Sequence, residues 1–222
     1  MHILTGFLSP PVWGTVAAVS AGAVAASLAA ARRTVDERRV PLMGVMGAFI
    51  FAAQMVNFPI LPGTSGHLGG GFLLGVLLGP AAGIIVMASV LIVQAMVFQD
   101  GGLEALGANL LTMGIMPCLL GGTVRWLWQR PQPGTVAYAV AVAGGIVAVL
   151  LGATAAILML WWSGSIPSGV SLVNAIVTMD SIHLAIGVVE GVVSASVIRF
   201  VMATRRDVVL GVAEPSSLKE AA

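Results

Sequence analysis

From His67 to Phe98 the 222-residue sequence runs without a single Asp, Glu, Lys or Arg. As one helix those 32 residues would reach roughly 48 Å, well past the ~30 Å hydrocarbon core of a bilayer. The stretch also contains Gly79-Pro80. Proline ends or kinks a helix at the residue before it, so a short helix over 64–79 and a second over 80–98 are expected. Five more apolar stretches cover 12–31, 40–57, 103–128, 136–162 and 182–204. Only 9% of the residues are charged, against about a quarter in a soluble domain. So few charges cannot make a water-facing surface, and lipid must solvate much of the chain. The expected fold is an all-α integral membrane protein of about seven transmembrane helices. It forms a single transmembrane domain over 1–207, with an N-terminal segment 1–11 and a short cytoplasmic tail 208–222.

The basic residues test the split. With seven spans and the N-terminus outside, the inner segments are 32–39, the Gly79-Pro80 turn, 125–135 and the tail. All ten basic residues then lie at or beside the inner face: Arg32, Arg33, Arg38, Arg39, Arg125, Arg130, Arg199, Arg205, Arg206 and Lys219. With six spans Arg125 and Arg130 would fall on the opposite side. The positive-inside rule therefore selects seven spans, N-terminus outside and C-terminus cytoplasmic, in the cell (inner or plasma) membrane. The net charge of +1 carries no signal for nucleic acid. Residues 1–11 lack a basic n-region and a following cleavage site, so the N-terminus is expected to be retained.

Two of the three histidines, His2 and His67, fall in outer segments. A free Met1 amine, the His2 amide and a His2 imidazole nitrogen can chelate one ion through fused five- and six-membered rings. The amide must lose its proton, which Ni²⁺ and Cu²⁺ promote well and Co²⁺ less readily. A fourth nitrogen from His67 would complete a square, a geometry suited to late first-row metals. The same two histidines are also compatible with ordinary solvated surface residues, and composition and spacing stop there. Cys118 stands alone in an apolar run, which excludes a disulfide framework or a thiolate cluster and reads as a small buried hydrophobe.

Three motifs carry a resemblance. They are Met1-His2-Ile3 with Gly6-Phe7-Leu8-Ser9-Pro10, then Pro62-Gly63-Thr64-Ser65-Gly66-His67-Leu68, and Gln99-Asp100-Gly101-Gly102-Leu103 continuing to Gly107-Ala108-Asn109. Together they resemble the substrate-capture subunits of cobalt and nickel energy-coupling factor transporters, the CbiM/NikM family, across nearly the whole transmembrane region. The resemblance implies metal ligation by Met1, His2 and His67, with Co²⁺ or Ni²⁺ as the transported substrate and no cofactor. It implies a transmembrane scaffold subunit, two ATPase subunits and a small accessory membrane subunit as partners. Four planar nitrogens suit Ni²⁺, while the chain's ending soon after its last span, with no fused accessory segment, favours cobalt. Leu4-Thr5 departs from the family, whose members often carry an acidic residue there.

Polar residues inside apolar helices normally face the bundle or line a path. Gln54, Asn57, Gln94, Asn109, His183 and Glu190 are such residues. His183 and Glu190 lie two turns apart on one face, and read either as interhelical hydrogen-bond glue or as groups that orient the ligands. Ser65, Asp100, Asn109 and His183 are the candidates for that orienting role. In the first helix Gly14, Ala18, Gly22, Ala26 and Ala30 form a smooth stripe, fit for a partner helix or for internal packing. The sequence contains no P-loop, no H-E-x-x-H and no G-x-S-x-G, so the chain is not expected to be an enzyme and energy must come from partners. Two other readings remain: an intramembrane enzyme using His183, Glu190 and Asp180, and a stand-alone metal facilitator.

Overall fold

The computed structural model describes residues 2–60, 63–128 and 134–205, and most of these residues are helical. Helix α1, Pro10–Thr34, begins with two prolines, whose fixed φ and missing N–H suit a first turn, and ends on Arg32 and Arg33, which favour the negative end of the helix dipole. Helix α2 is Val40–Gln54. A two-stranded antiparallel ribbon follows, β1 (Phe58–Pro59) with β2 (Ser65–Gly66). Then come α3 (Gly71–Leu78), α4 (Pro80–Phe98) and α5 over 106–128, and finally α6 (Gly134–Trp162) and α7 (Leu172–Thr204). Five of these helices have the length and apolarity to cross a bilayer, and the chain is a multi-pass membrane protein.

The break at Gly79-Pro80 falls where expected: α3 ends at Leu78 and α4 opens on Pro80. The expected 64–79 helix, however, is reduced to eight residues, about 12 Å of helix, because 65–66 pair as a strand and Gly69-Gly70-Gly71 delays the start. Every residue of α3 is buried, so this segment is covered by protein rather than lipid. Both of its ends are clamped by charge. Glu190 accepts the Gly69 and Gly70 N–H groups at 2.6 and 2.9 Å, and Arg125 donates to the Val76 and Leu77 carbonyls at 2.9 and 2.7 Å. An anion at the N-terminus and a cation at the C-terminus oppose the helix dipole and satisfy groups a short helix leaves unbonded.

The last span also differs from expectation. The expected apolar stretch covers 182–204, but α7 starts at Leu172, where Ser171 accepts the Asn174 N–H. Asp180 lies inside this helix, where Thr154 of α6 donates to its carboxylate at 2.8 Å. Tight crossings rest on glycines. A Cβ on Gly75 would overlap the Cys118 carbonyl, one on Gly121 the Phe72 carbonyl, and one on Gly145 would lie 2.7 Å from the Gly191 Cα.

Helices α4 and α5 each contain a π-helical turn, Gln94–Phe98 and Leu110–Ile115, on either side of the 99–105 loop. Such turns widen the helix by one residue and re-aim side chains, often at functional sites. Helix α1 packs through Ser20, whose hydroxyl donates to the Gly107 carbonyl at 2.7 Å, while Ala18, Gly22, Ala26 and Ala30 are exposed on other faces. The smooth stripe is therefore turned away from the bundle.

The placement of basic residues predicts that a cysteine at Thr34 is shielded from an impermeant thiol reagent in intact cells, whereas one at Ser168 is labelled. Both positions are exposed to solvent or headgroups and the native Cys118 is buried, so background is low. Labelling at position 34 with shielding at 168 would invert the topology.

Candidate metal centre

The N-terminal segment is not a free tail. Residues 2–4 lie beside β2 as a third extended strand: Ile3 pairs with Thr64, the Leu4 N–H donates to the Gly63 carbonyl at 3.0 Å, and the Ser65 N–H donates to the His2 carbonyl at 3.3 Å. On the opposite side Asn109 of α5 takes both backbone groups of Ile3. Its side-chain oxygen accepts the Ile3 N–H at 2.7 Å and its amide donates to the Ile3 carbonyl at 3.1 Å. The Ile3 side chain is fully buried. Further along, the Gly6 N–H donates to Glu104 at 3.3 Å, and Ser165 donates to the Phe7 carbonyl.

This strand carries His2 into the interior, where its side chain is 1% exposed. His67, 2% exposed, lies against it with ring centroids 4.5 Å apart and ring planes tilted by 31°. Gly101 makes room. Its φ of 84° suits glycine, and a Cβ there would come within 2.8 Å of the His2 ring and 2.6 Å of the Asn109 amide. The third motif thus positions its glycine against the first motif's histidine.

Burial governs the charge of the pair. It pushes His2 down to about 3, the positive amino terminus adding to the effect, and holds His67 well below its ordinary value for the same two reasons. Both rings are neutral at physiological pH, so their nitrogen lone pairs are available. The contact between His2 Nδ1 and Asp100 Oδ1 at 3.2 Å is then a polar approach rather than an ion pair. Burial also raises the Asp100 carboxyl, and Asn57 donates to it at 3.0 Å.

His67 Nδ1 lies 2.8 Å from the Leu68 carbonyl. A carbonyl can only accept, so Nδ1 carries the proton and Nε2 the lone pair. That Nε2, and both ring nitrogens of His2, are buried without a hydrogen-bond partner. Unbonded buried polar atoms are costly and rare. Here they lie together, with Asp100 and Gln94 as the polar neighbours of the His2 ring. Among the described residues no three His, Cys, Asp or Glu side chains converge as a metal cluster. The two histidine side chains are the imidazoles that meet here, and Met1 lies outside the described residues.

The expected supporting residues divide. Asn109 and Asp100 touch the N-terminal segment as expected. Ser65 contributes its backbone N–H, while its hydroxyl is buried with no partner. His183 is fully buried near His67 without joining a three-ligand cluster. The glutamines form a bridge that no motif revealed. Gln94 donates to Gln54 at 2.9 Å, and Gln54 donates to the Gly69 carbonyl at 2.5 Å, two residues past His67. Glu190 belongs to the same support, since it holds the next two amides of that loop. Their only signal in the sequence is polarity within an apolar helix.

Comparisons with known proteins agree with this architecture. A family model described as the cobalt uptake substrate-specific transmembrane region, CbiM, matches residues 2–208. A putative metal transport protein of Haloquadratum walsbyi is 37% identical over 219 residues, covering 98% of this chain and 97% of that protein. A putative fused nickel transport protein, NikMN, of Archaeoglobus fulgidus is 36% identical over 218 residues, covering 98% of this chain and 71% of that protein. A crystal structure of a truncated transition metal transporter superposes with a TM-score of 0.81 at 30% identity, covering 91% of this chain and 99% of that one. The chain belongs to the CbiM family of cobalt uptake substrate-specific transmembrane proteins.

Asn109→Ala is expected to release the N-terminal strand without unfolding the bundle. Losing two bonds to buried backbone costs about 1–3 kcal/mol, so amide exchange at Ile3 and Leu4 should accelerate roughly tenfold or more, with α6 and α7 unchanged. Unaltered protection at Ile3 would mean that the strand is held by β2 alone.

Proposed function

We propose that the chain captures Co²⁺ or Ni²⁺ at the outer face of the membrane, as the substrate-specific component of an ATP-driven energy-coupling factor importer. The observation that carries this reading is the pair of buried, neutral imidazoles of His2 and His67, the first brought inside by the chain's own N-terminal strand. In the proposed site the Met1 amine, the His2 amide and a His2 ring nitrogen form the fused chelate, and His67 Nε2 fills the fourth position. The imidazoles have no proton to displace, so binding must release protons only from the amine and the amide. Between the two substrates, a planar set of four nitrogens favours Ni²⁺ over Co²⁺.

Energy would come from partners. The notion of a transmembrane scaffold, two ATPases and a small accessory subunit fits two observations. The small-residue stripe of α1 is exposed and free to meet another helix, and the Archaeoglobus relative is a fused protein of which this chain spans 71%. The enzyme reading has less to stand on, since both oxygens of Glu190 are engaged by backbone N–H groups of Gly69 and Gly70. A stand-alone facilitator would transport without ATP hydrolysis, and depletion of cellular ATP separates the two.

His67→Ala tests the site. Removing one nitrogen of four should weaken Ni²⁺ or Co²⁺ binding by roughly a hundredfold, about 2.7 kcal/mol, in titration of the purified protein. Thermal unfolding should be little changed. Wild-type affinity in that variant would exclude His67 as a ligand.

A further inference from the structure

His183 is the one histidine that neither the proposed capture set nor the fold explains. It lies in α7, eleven residues past Leu172 and so about 16 Å along the helix, and its side chain is fully buried. A histidine in the membrane interior is expensive when a leucine would pack as well. Its Nδ1 lies 2.9 Å from the Met179 carbonyl one turn back. As with His67, a carbonyl partner places the proton on Nδ1 and the lone pair on Nε2. That Nε2 is buried with no hydrogen-bond partner. The ring thus presents a bare nitrogen donor to the interior.

The face of α7 that bears His183 runs along the loop that bears His67. Ile186, one turn further, lies against Gly66, and Glu190, one turn beyond that, holds the Gly69 and Gly70 amides. His183 is also near enough to His67 to act on its charge. Yet the three histidines do not converge on one point among the described residues. His183 thus stands beside the capture pair without sharing its ion in this conformation.

We propose that His183 Nε2 is a receiving ligand: after capture, the ion exchanges an N-terminal nitrogen for this imidazole as it leaves the outer site. The step is a ligand exchange at constant oxidation state. The lone pair of His183 Nε2 forms the new bond as one bond from the metal to an N-terminal nitrogen breaks, and the vacated nitrogen, amine or amide, takes its proton from water. An ion held by a tight chelate leaves slowly unless a competing donor waits alongside, and a neutral imidazole suits every late divalent metal. The proposal rests on the capture reading of His2 and His67.

The test uses the full chain assembled with its transport partners in cells, and the purified chain for titration with Ni²⁺ and Co²⁺. His183→Ala should bind metal within about threefold of wild type yet lose uptake by about tenfold or more. His183→Cys, which restores a metal-ligating donor but not the shape or hydrogen bond of the ring, should recover a substantial part of that uptake. His183→Leu, which restores bulk alone, should not. His67→Ala, run beside them, loses binding itself and so reports on capture separately. Wild-type uptake in His183→Ala would overturn the proposal. So would recovery by leucine equal to that by cysteine, or a loss of uptake fully matched by a loss of affinity.

Discussion

Ile3 gives its N–H and its carbonyl to a single asparagine, Asn109, while the residues on either side of it bond to Gly63 and Ser65. A chain terminus normally keeps most of its conformational freedom, because ordering each residue costs about 1–2 kcal/mol and few contacts repay it. Here the strand is bonded on both edges and its central side chain is completely buried. The next residue toward the terminus therefore has a fixed direction, and the His2 ring arrives against His67 rather than sampling solvent. Chelation of a divalent ion by a terminus gains most when the terminus is already ordered, since the ordering entropy is spent in folding and not in binding.

The second half of the site depends on a different device. His67 sits on a loop that leads into a helix of only eight residues, far too short to be stable by its own hydrogen bonds. Its stability comes from burial on all sides and from the two charges that cap it, Glu190 at the start and Arg125 at the end. Both charges lie within the membrane-spanning bundle and both are bonded to backbone groups, which is the condition under which buried charge is tolerated. The Gln54–Gln94 bridge then ties the carbonyl of Gly69 to the π-helical turn of α4, whose first residue also accepts the Asp100 N–H. The loop beside His2 and the loop of His67 are thus joined through side chains of two different helices.

How much of this the sequence discloses depends on the kind of interaction. Scarcity of charge, the length of the uncharged run and Gly79-Pro80 are local facts, and they led to a membrane bundle broken between Leu78 and Pro80. The three motifs that resemble the CbiM/NikM family turned out to be neighbours: Ile3 beside Thr64, Gly101 beside His2, Asn109 beside Ile3. What misled was also local. The apolar run from 64 suggested a helix, but strand pairing with Phe58–Pro59 claimed residues 65–66, and that pairing is non-local. α7 starts ten residues before the apolar stretch read from 182, and the partner that holds Asp180 inside it, Thr154, lies on another helix. Glu190 read as interhelical glue or as a group that orients the ligands, and the sequence does not show that it caps a helix through a loop more than a hundred residues away.

The account turns on the proposed role of the amino terminus as a ligand, and that can be tested without altering any side chain. One alanine placed before Met1 keeps every residue of the bundle but moves the free amine outward. An Ala-Met-His start can still bind Ni²⁺ as a flexible peptide, through its amine, two amides and the imidazole, which fills the plane and leaves no place for His67. The measurement is uptake of Co²⁺ and Ni²⁺ by cells carrying the extended or the native chain, with titration of both purified proteins and of their His67→Ala forms. The account predicts that extension reduces uptake to background and that His67 no longer affects affinity in the extended protein. Uptake equal to that of the native chain, with His67 still contributing, would contradict it.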